Sequence, residues 1–190
     1  MLNIITIAYR HDFLKPLYDS IPKNHDVKWW ICTTMGRKVD IVDKQVTVIN
    51  LDISDDISTW DIRLNTILDL ITEGYVQVVD EDTLYHYNAY NLYKKALELN
   101  IDTVIGDQFW YNGKIRLLAQ KPLATYIDTG SVITKIHTIR DNEILWKSSI
   151  QHPDYHFWQK VWDVSNTRLI VPEPISYYNA QLKQEKDLYT

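Results

Sequence analysis

The chain has 190 residues, with 20 Lys and Arg against 25 Asp and Glu, a formal net charge of −5, 45% apolar residues and 24% charged ones. That length and balance predict one folded domain with a sizeable core, and they exclude a disordered chain and a large cationic footprint for duplex nucleic acid. The single Cys32 forms no intrachain disulfide, and neither a hydrophobic leader nor an apolar run of membrane-spanning length is present, so a reducing, cytoplasmic setting is expected.

In chain order, "LNIITIAYR" opens with an apolar run of strand length, and "HDFLKPLYDSI" reads as a short amphipathic helix. "VKWWICTT" and "KQVTVINLD" are the next two strands. "STWDIRLNTILDLITEG" sets Ile62, Leu64, Ile67, Leu68 and Ile71 at helical spacing, opens with Ser58 three residues before Asp61, and closes on Gly74. "YVQVVD" is a further buried strand, and "LYHYNAYNLYKKALELN" carries Tyr85, Ala89, Leu92, Tyr93, Ala96 and Leu97 on one helical face. Strand, helix, strand, helix is the rhythm of a parallel α/β sheet.

The second half changes character. Asn112-Gly113 is a hairpin signal between "DQFWY" and "KIRLLA", so antiparallel strands follow the parallel ones. "TYIDTGSVITKIHTI" is β-prone but interrupted at Asp128, Thr129 and Gly130, where the glycine serves either a bulge or a close approach of backbone to ligand. "HPDYHFWQKVWDV" places Pro153 at a helix start, Asp154 in its first turn, and Phe157, Trp158, Val161 and Trp162 on an apolar face. "TRLIVPEPISYYNAQ" supplies a last strand and a Pro-bounded loop, and from Leu182 the chain is a polar tail.

The strand "YVQVVD" ends in Asp80, followed by Glu81 and Asp82. Ligands of open α/β sheets gather beyond the carboxyl ends of strands. Adjacent carboxylates repel one another, and a hard divalent cation with a preference for oxygen ligands relieves that repulsion. The other reading is that Glu81 and Asp82 start the following helix, where acids complement the macrodipole. Both are open on the sequence, as are core and base-stacking readings of Trp29 and Trp30.

Taken together, these segments resemble the small glycosyltransferases of the GT-A fold, especially the family-2-like inverting enzymes that use nucleotide sugars, over most of the chain. "TIAYRH" is similar to the opening strand that reaches the nucleotide, "DIRLNTILDL" to the helix bearing Arg63 and Asn65, and "VVDEDT" to the DxD motif. "YIDTGSVI" resembles the segment lining the sugar and acceptor pocket, and "HPDYHFWQKV" the helix led by the catalytic base. The resemblance implies a mostly parallel, Rossmann-like GT-A sheet flanked by helices, with a smaller antiparallel part in the second half. It divides the domain into a nucleotide half, 1–100, and an acceptor and catalytic half, 101–181, with 182–190 as a tail. It implies Thr6, Tyr9, Arg10, Arg63, Asp80 and Glu81 at a UDP- or GDP-sugar donor, and Asp82 on Mn²⁺ or Mg²⁺ with Asp80 on the metal or the ribose. It further implies Asp107, Trp110, Asp128 and Gly130 around the sugar and a glycan or other hydroxyl acceptor, with Asp154 as the base and His152 or Asp141 as its nearby substitutes. A pared-down acceptor region of this kind is completed by another subunit, as in a homo-oligomer, or by a larger partner.

The sequence departs from the pattern where Thr33 and Thr34 stand in place of a base-reading acid, and where Tyr177, Tyr178 and Asn179 stand in place of a late metal-binding His. A sugar nucleotidyltransferase and a noncatalytic nucleotide- or carbohydrate-binding module are the alternatives. The first wants a Gly-rich phosphate loop that "AYRHDFLKP" lacks.

Overall fold

The computed structural model describes residues 1–34, 36–54, 57–124 and 126–178, so the tail from Leu182, and with it Asn179, lies outside the described residues. The centre of the fold is β1 (Leu2–Ile7), all of whose residues are buried. Leu2 and Ile4 point into one core while Ile5 and Ile7 point into another. A strand apolar on both faces requires cover on both faces, and helices supply it.

On one side, α1 (Leu14–Ser20) and α3 (Tyr87–Glu98) bury Leu17, Ala89, Leu92, Tyr93 and Ala96. On the other, α2 (Trp60–Leu70), α4 (Ile136–Arg140) and α5 (Pro153–Val164) bury Leu64, Ile67, Ile139, Phe157, Trp158 and Val161. Trp29 is 1% exposed and Trp30 9%, and their indole N–H groups donate to Thr6 Oγ1 and Asn3 Oδ1, both at 3.0 Å. Both are core residues with satisfied tips.

The remaining strands are β2 (Val27–Thr34), β3 (Val46–Leu51), β4 (Tyr75–Val78), β5 (Leu84–Tyr85), β6 (Thr103–Trp110), β7 (Ile115–Leu117), β8 (Val132–Lys135) and β9 (Arg168–Tyr178). Among the described residues they form one sheet in the order β3-β2-β1-β4-β8-β6-β9-β5, with β7 paired to β6. The first four run parallel, β8 is antiparallel to both neighbours, and β6 and β9 are again parallel. The expected α/β sheet, parallel first and partly antiparallel later, is the observed one.

Several local expectations are corrected: Leu84–Tyr85, expected to open a helix, form β5 ahead of α3, and Ile136–Arg140, expected to be β-prone, form α4. The helix expected from Ser58 begins at Trp60, after a 3₁₀ turn over Ile57–Thr59. Ile62 and Leu97, expected on buried faces, are 51% and 47% exposed. The loop expected around the last prolines is instead strand, because β9 bulges: Val171 pairs with Gly106 and Pro174 with Asp107, which leaves Pro172 and Glu173 outside the ladder. Proline lacks the N–H that a regular ladder needs, and a bulge removes that need. Gly106 admits the bulge, since a Cβ there would lie 2.6 Å from Ile175 Cγ2.

Two turn glycines separate conformational cost from steric cost. Gly74 (φ +88) lies against the Met1 carbonyl, 2.2 Å from where a Cβ would stand, whereas Gly113 (φ +79) turns the β6–β7 hairpin in open space. Gly113→Ala is expected to cost about 1 kcal/mol and Gly74→Ala about 2 kcal/mol or more in urea unfolding. Equal losses would contradict the tight packing at Gly74.

Candidate active site

Parallel pairing brings the ends of β1 and β4 to one edge of the sheet. The Val79 amide donates to the Ile5 carbonyl at 2.8 Å, and Ala8 to Cys32 at 2.8 Å. Tyr9 and Arg10 therefore emerge beside Asp80, Glu81 and Asp82. The acids lie in a turn closed by the Thr83 amide on the Asp80 carbonyl at 3.0 Å. α3 has no acid in its first turn and is capped by His86, whose Nδ1 accepts the Asn88 amide at 3.1 Å. The helix-start reading of Glu81 and Asp82 is thereby set aside.

Arg10 neutralises part of this turn. Its Nε donates to Glu81 Oε1 at 2.9 Å and its Nη2 to Asp82 Oδ2 at 2.8 Å, while its backbone amide reaches Glu81 Oε1 at 3.2 Å. Both acceptor carboxylates are nearly buried, so these charge-assisted bonds supply hydration that the protein removed. The cleft above them has a volume of about 800 Å³. Trp60 and Trp146, with ring centroids 4.5 Å apart, form one wall, and Tyr178, Thr129 and Asp154 form another.

A second guanidinium balances the far side. Arg116, on β7, donates from Nη1 to Asp128 Oδ2 at 3.0 Å and also bonds Gln108 Oε1, and its guanidinium lies 3.5 Å from the centroid of the Tyr178 ring. The other Asp128 oxygen accepts Gln108 Nε2 at 2.8 Å and the Gly130 amide at 2.9 Å. Asp154 stands in the first turn of α5 after His152, which holds a left-handed backbone at φ 54. That conformation is costly for a residue preceding proline, and it sets the direction in which α5 enters the cleft.

Charge crowding shows in the proton affinities. Withdrawal from water raises the Asp80 carboxyl well above the usual range, and the charges of Asp128, Asp154, Asp82 and Glu81 add to it. Asp82 is raised by burial, with Arg10 pulling it back. Burial, reinforced by Asp128 and opposed by Arg116, pushes Asp154 up to about 7.

Several expected site residues lie outside the lining of the cleft. Thr6 is fully buried in the sheet, donating to the Val79 carbonyl at 2.9 Å. Arg63 is also fully buried; its guanidinium lies 4.5 Å from the centroid of the Tyr9 ring, and its Nη2 donates to the Ser54 carbonyl at 3.0 Å. Both stand behind residues of the cleft rather than in its lining. Asn65 clamps the backbone amide and carbonyl of Trp146, each at 3.0 Å. Asp107 accepts the Ala119 amide at 2.6 Å and anchors the chain leaving the hairpin. Gly130 packs where a Cβ would meet Gln108 Nε2 at 3.0 Å, and Trp110 stands edge-on to Tyr178. Thr33 and Thr34 are buried, the former within 3.0 Å of His11 Nε2. Cys32 is buried, its thiol pushed up to about 11 by desolvation, which makes it inert. The contributions of Arg116, Gln108, Trp60 and Trp146 were not anticipated. The one local signal was an arginine between the apolar Ile115 and Leu117 on a hairpin strand.

Among the described residues, no three His, Cys, Asp or Glu side chains are grouped to hold a metal ion unaided. The donor set nonetheless fits a hard cation: Mg²⁺ typically takes one or two protein carboxylates and completes its shell with phosphate oxygens and water. Asp80 and Asp82 offer such oxygens at the cleft, and a guanidinium already stands as positive charge beside Asp82.

A parallel β3-β2-β1-β4 sheet whose strand ends frame an acidic, arginine-flanked cleft has the GT-A-like fold of nucleotide-sugar glycosyltransferases. Solved structures with this fold include TarS 1–349 from S. aureus in complex with UDP-GlcNAc, at a TM-score of 0.74 and 16% identity over 93% of this chain and 57% of that one. The mannosyltransferase PcManGT from Pyrobaculum calidifontis in complex with GDP-Man and Mn²⁺ aligns at a TM-score of 0.65 and 12% identity over 94% of this chain and 56% of that one. The chain thus spans little more than half the length of these structures, and at such identities the likeness establishes the fold alone. No protein-family model and no curated protein sequence matches the chain. No helix among the described residues is long and apolar enough to cross a membrane.

The Asp154 environment predicts a pH-dependent stability. Its folded-state pKa is raised from 3.8 to about 7, so the folded protein binds this proton more tightly than the unfolded chain does. The resulting stability is complete below about pH 4 and is lost as pH rises to about 7. Asp154→Asn, which cannot ionise, is expected to raise the Tm of the ligand-free protein at about pH 8 by several degrees and to leave it nearly unchanged at about pH 4. A Tm difference independent of pH would contradict this environment.

Proposed function

We propose that this chain transfers a sugar from a UDP- or GDP-linked donor to an acceptor hydroxyl, with divalent-cation assistance and inversion at the anomeric carbon. The observation that supports the reading is the convergence of Asp80, Asp82, Asp154 and Arg10, from three separate segments, on one cleft at the carboxyl ends of β1 and β4. The donors carried by the GT-A neighbours are of the same class, a nucleoside diphosphate sugar.

In this reading Tyr9 and Arg10 contact the nucleotide, and Asp82, with Asp80, holds Mn²⁺ or Mg²⁺. A cation held there would supply positive charge to the departing diphosphate without a proton transfer. Asp154 accepts the acceptor hydroxyl's proton as the new oxygen–carbon bond forms and the bond to the diphosphate oxygen breaks, its electron pair leaving with the diphosphate. A carboxylate raised to about 7 is suited to this, since a base works best with a pKa near the working pH. Trp60 and Trp146 offer an aromatic wall for the apolar face of a sugar ring, and Asp128 with Gly130 supports the floor opposite.

The test is a thermal-shift screen of UDP, GDP, UDP-GlcNAc and GDP-Man with and without Mn²⁺, since a ligand of the native state raises Tm by mass action. A shift that requires Mn²⁺ is expected with one base; no shift with any of them would overturn the reading. Asp82→Ala is expected to abolish the Mn²⁺-dependent shift while the protein stays folded by circular dichroism. Asp154→Asn is expected to keep the shift but to lower donor turnover at least about 100-fold. Unchanged turnover in Asp154→Asn would remove the base assignment.

A further inference from the structure

We infer that Arg10 is the resident counter-ion of the strand-end carboxylates, and that a divalent cation and the donor diphosphate displace it together, the cation taking Asp82 and the guanidinium turning to the phosphates. This rests on the donor reading above and adds a binding order to it.

The geometry is that of an exchangeable contact. One guanidinium bridges two acids, Nε to Glu81 at 2.9 Å and Nη2 to Asp82 at 2.8 Å. The Arg10 side chain is 45% exposed while those of Glu81 and Asp82 are 5% and 8% exposed, so the arginine is the partner free to move. Besides these bonds its guanidinium meets the Phe13 ring, 5.1 Å from the centroid, which leaves it in place on the cleft rim if the fork opens.

The two acids would not be released equally. The Arg10 backbone amide also donates to Glu81 Oε1, at 3.2 Å, and that bond does not depend on where the side chain goes. Opening the fork therefore leaves Glu81 held and exposes Asp82. A cation on Asp82 and a guanidinium on the same carboxylate repel and compete for the same lone pairs. Asp80, Glu81 and Asp154 also line the cleft beside Asp82, so a diphosphate arriving without a cation meets acidic groups. Cation and diphosphate then favour each other's binding, and Arg10 moves from a carboxylate to a phosphate, the two groups its fork fits best.

The signature is a pair of opposite effects from one substitution. Mn²⁺ affinity without nucleotide is measured by electron paramagnetic resonance of the free ion for wild type, Arg10→Gln and Arg10→Lys, each shown to be folded by circular dichroism. Calorimetric titration of UDP and GDP at saturating Mn²⁺ follows. Arg10→Gln is expected to bind Mn²⁺ about tenfold more tightly and the nucleoside diphosphate about tenfold more weakly than wild type. Arg10→Lys keeps the charge but loses the fork, and its Mn²⁺ affinity is expected to fall between the two.

Mn²⁺ binding no tighter in Arg10→Gln, with nucleotide binding intact in wild type, would overturn the exchange while leaving the donor reading standing. Tighter binding in Arg10→Gln with Arg10→Lys equal to wild type would also overturn it, since a simple field effect explains that result. If wild type binds neither Mn²⁺ nor either nucleotide, the donor reading fails and the exchange fails with it.

Discussion

The carboxyl groups of Asp80, Glu81, Asp82 and Asp154 line one cleft with Asp128 close enough to act on them, and their shared withdrawal from water and mutual repulsion are the constraint to which the surrounding architecture responds. Two guanidiniums answer it from opposite sides. Arg10 follows the first strand and takes Glu81 and Asp82; Arg116 comes from a hairpin more than a hundred residues later in the chain and takes Asp128. Burial is the main reason that the proton affinity of Asp80, Asp82 and Asp154 is raised, and neighbouring carboxylates that neither arginine fully offsets add to it. A site that holds unneutralised negative charge in a partly dry cleft is prepared for a cation or for protons, and shifts of this kind cluster where chemistry is done.

The fold makes this crowding tolerable. Because β1 is apolar on both faces, helices cover both faces of the sheet, and the strand ends are where polar groups find room. β4 lies between β1 and the antiparallel β8, so its end, with the three acids, faces the start of α5 and the Asp128–Ser131 turn across the cleft. Supporting contacts then fix the walls: Asn65 holds Trp146 in place from α2, and the Gln77 side chain donates to the Gly130 carbonyl at 2.9 Å. These residues touch no reacting group in the proposed chemistry, yet without them the cleft loses its shape.

Much of the fold was legible because its signals are local. Apolar runs of strand length marked the first four strands and helical spacing the longer helices, while α4 lay hidden in a segment that reads as β-prone; Asn112-Gly113 marked the hairpin, where Gly113 takes a positive φ. The acids after β4 were legible as a feature of a strand end. What stayed hidden depends on partners distant in sequence. A strand through Pro172 and Pro174 reads as a loop until Gly106 on β6 is known to accept the bulge. Thr6 and Arg63 look in sequence like residues at a ligand; only burial shows one bonded within the sheet and the other packed against Tyr9. The pairing of Arg116 with Asp128 closes a loop between a hairpin strand and a turn, and neither segment alone announces it.

The central claim is that this one cleft seats a nucleoside diphosphate on a cation held by the strand-end acids. Anomalous diffraction at the manganese edge, from crystals grown with Mn²⁺ and UDP or GDP, tests it most directly. The account predicts one manganese peak beside the Asp80 and Asp82 carboxylates, with the nucleotide in the same cleft. A nucleotide seated in the cleft with manganese absent from these acids, or bound at another face of the protein, would contradict it.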